Sequence, residues 1–150
     1  MELLSIKGLP LPALLLRLLE SGAWRHPGDV VIARAIPFLQ ETVDFLTSIE
    51  VMRRESGMQF ADDPAYAYFH LVRGATRPTP VELPWLDVEL SVLVAVNREL
   101  GADIGVAFDY RTSRSDPRVV VSDWWSVPLQ CYWREAAPTF SAFVVELGLG

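Results

Sequence analysis

The chain has 150 residues and a net charge of −6, and 51% of its residues are hydrophobic. A chain of this length buries roughly 68–70% of its unfolded surface, so we expect residues 1–150 to fold as one domain without disulfides. The sequence shows no basic stripe, which argues against binding to nucleic acid.

The cysteine content and hydropathy favour a cytoplasmic protein that does not bind membranes. The chain has one cysteine, Cys131, in an apolar strand pattern typical of a buried thiol. No apolar run reaches the roughly 18 residues of a membrane span. We interpret Leu9–Leu19 as a core helix, because Arg17 interrupts it and two prolines break its start.

Leucines at helical spacing predict the first helix, with Pro12 in its first turn and Gly22 just past its end. The next segment, Val30–Ala35, fits either a short helix capped by Asp29 or a β-branched strand. A third helix is predicted from the capping-box spacing of Thr47 and Glu50, with fraying at Ser56–Gly57.

From residue 66 the hydrophobic period changes to two, which predicts a strand over Tyr66–Gly74. Two further strands are predicted to form an antiparallel hairpin across the loop Asn97–Asp103. Each of these strands should have one apolar face. On the first strand this face consists of Leu90, Val92, Val94 and Val96, and on the second it consists of Ile104, Val106, Phe108 and Tyr110. Strands are also predicted over Arg118–Ser122 and Leu129–Arg134.

The chain closes with a predicted amphipathic helix over Pro138–Leu147 that ends at Gly148. Helices followed by antiparallel strands and a final helix predict an α+β fold with helices packed on one face of the sheet. Phe108 and Phe143 should then share one core.

No motif for nucleophilic catalysis, cofactor binding or metal binding is present, and the histidines His26 and His70 are far apart in sequence. We therefore predict no enzyme activity, no cofactor and no metal site. Several carboxylates leave Mg²⁺ binding or hydrolysis around Asp109 as an alternative; they are Asp87, Glu89, Asp103, Asp109, Asp116 and Asp123.

The predicted partner surface is the polar side of the sheet, which we expect the helices to leave free. Asp109 and Arg111 lie two residues apart on one strand face, where they form either an intradomain pair or partner contacts. Trp124 and Trp125 are adjacent, so one should be exposed as a binding anchor. The proposed set is Asp87, Glu89, Asp109, Arg111, Asp116 and one of Trp124 or Trp125.

Five segments of the C-terminal half carry a family resemblance: Pro84–Glu89, Val94–Asn97, Gly101–Arg111, Asp116–Val120 and Trp133–Phe143. Together they resemble the SUKH superfamily, which includes yeast cell-wall-assembly regulators and bacterial toxin-immunity proteins. Family members often have a second acidic residue where this chain has Ala102, so a specific acidic contact in that loop does not carry over.

The resemblance implies an α+β fold and protein binding without catalysis. Its most concrete form is an immunity-type protein that neutralises a toxin domain, and an acidic protein suits a basic toxin. The alternative is a regulatory or scaffold module without a toxin partner. The oligomeric state stays open.

Overall fold

The structure, a computed structural model, describes residues 5–39, 41–59, 83, 86–98, 104–123 and 132–149. The helices in these ranges are α1 (Ala13–Ser21), α2 (Asp29–Ala35), α3 (Ile49–Gln59) and α4 (Phe140–Leu147). The strands are β1 (Ser5–Ile6), β2 (Leu9–Pro10), β3 (Val43–Phe45), β4 (Ser91–Asn97), β5 (Gly105–Asp109), β6 (Arg118–Asp123) and β7 (Tyr132–Ala137). The predicted α+β class is confirmed.

The described strands form two antiparallel sheets. β1 and β2 make a small hairpin, and the larger sheet has the order β3-β4-β5-β6-β7. Strands that are neighbours in the larger sheet are also consecutive along the chain. β3 and β7 are its two ends, so β7 pairs only with β6 among the described strands.

Both faces of the central strands are buried, so our expectation of a free polar face is wrong. Phe108 and Val119 lie opposite each other on one face, and the Phe108 ring lies 4.9 Å from that of Phe140 in α4. Ala107 and Val120 point to the other face and are also buried. The cause is a nearly continuous apolar sequence, as in strands covered on both sides.

The first and last helices form where they were predicted, but each begins later: the expectation of a helix from Leu9 is wrong because Leu9–Pro10 is strand β2, and Pro12 is the residue before α1. Gly22 ends α1 with a left-handed φ of 77°, and Gly148 ends α4 with a φ of 69°, a conformation that glycine adopts without steric cost. At the start of α4, Thr139 Oγ1 accepts a hydrogen bond from the backbone N–H of Ala142 at 3.1 Å. The last helix therefore begins at Phe140, two residues after the predicted start.

The capping residues of the two helices between them, α2 and α3, differ from those predicted. Residues 29–35 are helical, and Gly28, not Asp29, is the capping residue. For α3, Ser48 Oγ accepts from the N–H of Val51 at 3.1 Å, so the cap lies one residue after the predicted Thr47.

The predicted fraying of α3 at Ser56–Gly57 is also wrong. The helix continues to Gln59, and the buried Ser56 Oγ accepts a hydrogen bond from the N–H of Leu93 at 3.0 Å. This contact ties α3 to β4 and satisfies a buried donor of the sheet.

The predicted hairpin of β4 and β5 is confirmed, with one irregularity. A bulge between Leu93 and Ala95 shifts the register, so that Val92 lies opposite Phe108 and Ala95 lies opposite Val106. The expected common face of Val92 and Val94 is therefore interrupted, because a bulge adds one residue to a strand and reverses the alternation beyond it.

Two elements of the structure were not predicted. The N-terminal hairpin turns through Lys7 and Gly8, both with positive φ, and Tyr110 Oη donates to the carbonyl of Pro10 at 2.8 Å. The second is β3 at the edge of the sheet. The predicted strand Tyr66–Gly74 lies outside the described residues, and the last predicted strand is described from Tyr132 onward.

Candidate partner-binding surface

Asp109 is the centre of a buried ionic network at the end of β5. Its Oδ1 accepts from Arg111 Nε at 2.9 Å, and its Oδ2 accepts from Arg111 Nη2 at 2.9 Å and from Arg118 Nε at 2.8 Å. Glu135 lies 3.9 Å from Arg118. Two guanidinium groups and two carboxylates therefore offset one another's charge across three adjacent strands.

This network confirms the intradomain interpretation of Asp109 and Arg111 and corrects their predicted exposure. Asp109 has no exposed surface, because both faces of β5 are covered. Burial alone would raise the pKa of Asp109, but the hydrogen bonds and charge of Arg111, with Arg118, outweigh burial and lower this pKa below its usual value. Since Arg111 and Arg118 occupy both oxygens, this carboxylate is not placed to hold Mg²⁺ or act as a base.

The other acids of the predicted surface have local structural contacts. Asp87 Oδ1 accepts from the N–H of Glu89 at 3.1 Å and begins a short 3-10 helix. Asp116 accepts from both the N–H and the Oγ of Ser141, at 3.0 and 2.8 Å, near the start of α4. That position also favours a negative charge because of the helix dipole.

The structure brings the described members of the predicted set to one end of the sheet. In register, Ser91 at the start of β4 lies opposite Asp109, and Asp109 lies opposite Arg118 at the start of β6. A partner-binding role for these residues remains a prediction. Trp124 and Trp125 lie outside the described residues.

A different surface carries open grooves, which border α2 and the segment that follows it. We name the first the acidic groove; its lining residues are Asp29, Ile32, Ala33, Leu39, Glu41 and Thr42. We name the second the edge groove, because it runs along β7. Its lining residues are Arg34, Ala35, Pro37, Phe38, Arg134, Glu135, Ala136 and Glu146. The two grooves together form the α2 surface.

Exposed apolar side chains accompany these grooves. Val30 in α2 is 78% exposed and Val145 in α4 is 77% exposed, and α2 packs against α4. The residues of α2 that pack into the core are Ile32 and Ala35, so Val30 lies off the buried stripe. This valine on the exposed side of a short helix is a sequence signal that pattern analysis missed.

One wall of the edge groove is fixed in place by Arg134. Its guanidinium carbon lies 4.1 Å from the centre of the Phe38 ring, and its Nη1 lies 2.9 Å from Oδ2 of the buried Asp123. Stacking over an aromatic ring and pairing with a carboxylate both favour arginine. The Arg134 side chain therefore joins Phe38 on one side of the groove to β6 on the other.

Beside the acidic groove, His26, Thr42 and Asp29 form a hydrogen-bonded chain. His26 Nδ1 accepts from the N–H of Gly28 at 3.0 Å, so the ring proton of neutral His26 lies on Nε2. Nε2 then donates to Thr42 Oγ1 at 3.1 Å, and this hydroxyl donates to Asp29 Oδ1 at 3.3 Å. Because Nε2 is a donor here, this histidine cannot accept the hydroxyl proton of Thr42.

Comparisons with known proteins leave the family open: no family model matches the chain, and no curated protein or solved structure matches it. Within the part of the chain that the structure describes, no three His, Cys, Asp or Glu side chains come together to hold a metal ion. Among the described helices, none has the length and hydrophobicity to cross a membrane. The SUKH resemblance remains a prediction.

Proposed function

We propose that this protein is a non-enzymatic protein-binding domain, and that in its most concrete form it is an immunity-type protein that binds and neutralises a basic toxin domain in the cytoplasm. The observation that carries the proposal is the α2 surface. There, a highly exposed valine, Val30, lies beside open grooves with exposed carboxylates.

The charges of the α2 surface favour a basic partner. Asp29, Glu41 and Glu146 are exposed, and no arginine or lysine pairs with them among the described residues. Of the two arginines that line this surface, Arg134 is paired with Asp123 and Arg34 is exposed, so the exposed carboxylates outnumber the exposed arginine that has no carboxylate partner among the described residues. Unpaired surface carboxylates accelerate encounter with a cationic protein, and salt screens that effect.

The apolar part of the same surface should slow dissociation of the complex. Binding energy concentrates in side chains that become fully desolvated at the centre of an interface, surrounded by a polar rim. Phe38 lines the edge groove and the exposed Val30 follows Asp29 in α2, while Asp29 and Glu41 line the acidic groove and Arg34 lines the edge groove. Charge would then govern association, and the apolar groups dissociation.

Affinity capture from the native host tests this function. We expect the tagged protein to retain a basic protein at low salt, identified by mass spectrometry, and to inhibit its toxic activity when the two are mixed. Val30→Ser, which removes the apolar group without adding charge, should reduce the capture, while Glu20→Gln on the exposed face of α1 should not. A captured partner without toxic activity would favour the regulatory alternative. Absence of any specific partner at low salt would contradict a protein-binding function.

A further inference from the structure

We infer that the acidic groove receives an arginine side chain of the protein partner. This inference rests on the proposed function and adds to it the chemistry of one anchor residue. It depends on two properties of the groove: an apolar floor, and carboxylates that pair with no arginine or lysine in the part of the chain that the structure describes.

The floor of the groove suits the aliphatic part of a long side chain. Ile32 and Ala33 lie on one side of α2 and Leu39 follows the helix, and all three line the groove. Ile32 belongs to the hydrophobic core, so the floor of the groove packs directly on core side chains. Arginine and lysine both place a methylene stem along apolar surface while their charged end stays at its polar rim.

The polar lining of the groove contains two negatively charged carboxylates. Asp29 is 81% exposed, and among the described residues only its Oδ1 is engaged, by Thr42 and at 3.6 Å by His26. Glu41 has neither a hydrogen bond nor an ion pair among those residues, and it is exposed. Thus two carboxylates line one groove without a neutralising guanidinium.

Other described carboxylates show the contrast. Asp44 in β3 is paired with Arg98 at 2.6 Å, and Asp123 in β6 is paired with Arg134 at 2.9 Å. Asp29 and Glu41 differ from these two acids because no arginine or lysine among the described residues pairs with either of them, and they line one groove together. Complementary charge together with an apolar floor points to a cationic side chain.

Arginine fits this groove better than lysine for two reasons. Its guanidinium has five donors in a plane and can bind two separate carboxylates at once, whereas an ammonium acts as a compact point charge. The guanidinium is also less strongly hydrated, so contact with Ile32 and Leu39 costs less desolvation. Arginine is in addition enriched among residues that dominate binding energy.

NMR titration with small probes tests the inference on the whole chain. The probes are butylguanidinium, the neutral butylurea of similar shape, butylammonium, and guanidinium without a stem. We expect butylguanidinium to shift the backbone amides of Ile32, Ala33, Leu39 and Thr42 in a saturable manner in the millimolar range. Butylammonium should bind at least threefold more weakly, and the other two should not saturate.

Variants locate the site. Glu41→Gln should weaken butylguanidinium binding at least fivefold, while the matched Glu20→Gln on α1 should leave it unchanged. Ala33→Lys places a cation one helical turn from Asp29 and should abolish probe binding, with the fold checked by the unchanged spectrum of the remaining amides. Equal binding of butylurea, or of butylammonium, would overturn the assignment to arginine, as would equal binding to Glu41→Gln.

The same variants separate this inference from the proposed function. If the host partner binds Glu41→Gln and Ala33→Lys as tightly as wild type and butylguanidinium does not bind, the groove assignment is wrong and a protein-binding function stands. If the probe binds as expected but no host partner exists, the protein-binding function is wrong and the preference of the groove for guanidinium stands.

Discussion

Arg118 of β6 donates from Nε to Oδ2 of Asp109 on the neighbouring strand at 2.8 Å, in a part of the sheet where Asp109 has no access to solvent. Arg111 holds the same carboxylate through two further hydrogen bonds from its guanidinium. This buried carboxylate thus pairs with two cations that are themselves largely buried, and the half-exposed Glu135 lies 3.9 Å from one of them, Arg118. We expect the stability of the fold to depend strongly on this one residue.

Replacement of Asp109 should therefore destabilise the protein severely. Asp109→Asn keeps the shape of the side chain and removes the charge, so the largely buried Arg111 and Arg118 lose the carboxylate that both of them contact. Removing one partner of a buried ion pair costs about 3–5 kcal/mol. Urea unfolding monitored by circular dichroism measures this loss in the free energy of unfolding.

The matched control is Asp44→Asn in β3. Asp44 also pairs with an arginine, Arg98, at 2.6 Å, but its side chain is 54% exposed. An exposed pair of this kind contributes about 0–1 kcal/mol. Similar losses for the two variants would show that burial of the Asp109 network does not control its energetic importance.

Tyr110 should give the protein an alkaline limit of stability. Burial raises the pKa of its phenol above the usual value, and the charge of Arg114 opposes this by less. A folded-state pKa above the unfolded value means that the contribution is complete below pH about 10 and is lost as the pH rises further. Above that pH the free energy of unfolding should fall by about 1.4 kcal/mol per pH unit through this group.

The comparison is with Tyr110→Phe, which removes the titrating hydroxyl and its hydrogen bond to Pro10. Urea unfolding at pH 9, 10 and 11 should show a shallower decline for this variant than for wild type. Lys7, whose pKa is lowered to about 8 by burial, contributes an opposite slope up to about pH 10.5, but it does so in both proteins and cancels in the comparison. Identical slopes would mean that the Tyr110 phenol has the same pKa in both states.

Phe108 should be among the most costly apolar residues to truncate. Its ring lies in the core between Phe140 at 4.9 Å and Tyr110 at 6.1 Å, and it is fully buried. Phe108→Ala should cost about 3–5 kcal/mol, as large buried aromatic residues do. Val145→Ala on the exposed side of α4 should change stability by under about 0.5 kcal/mol. A loss near that of Val145 would contradict the strand register.

Local signals in the sequence predicted much of the fold. Leucine and phenylalanine spacing identified α1 and α4, because helices that bury one stripe repeat it with a period near 3.6. The pairing of β4 with β5 followed from their alternation. Phe108 and Phe143 share one core, as predicted, since both are buried within the same cluster.

The exposure of the sheet could not be predicted from alternation alone. The acidic side chain of Asp109 follows Phe108, and this order indicates an outward position when only one face is covered. Its burial depends on Arg111 and on Arg118, which reaches it from the next strand. The signal for two covered faces was the run of three valines at residues 119–121, which is apolar on both sides of a strand.

The α2 surface was missed for a related reason. Pattern analysis assigns apolar residues to the core by default, and the three residues Val30, Val31 and Ile32 fit both a helix and a strand. Only the packing of α2 against α4 reveals that Val30 points outward while Ile32 points inward. The grooves also need residues from β7 and from the segment after α2, which only tertiary structure brings together.

The most direct test of the account is the association rate of the captured partner, measured by surface plasmon resonance with two charge-reversal variants. Glu41→Lys changes the α2 surface, and Glu89→Lys makes the same change at the end of the sheet that the sequence had favoured; both residues are exposed. If the partner binds through the α2 surface, Glu41→Lys should associate several-fold more slowly at low salt and converge with wild type at high salt, and Glu89→Lys should have little effect. Slower association for Glu89→Lys alone, or rates indifferent to both changes, would contradict binding through the α2 surface.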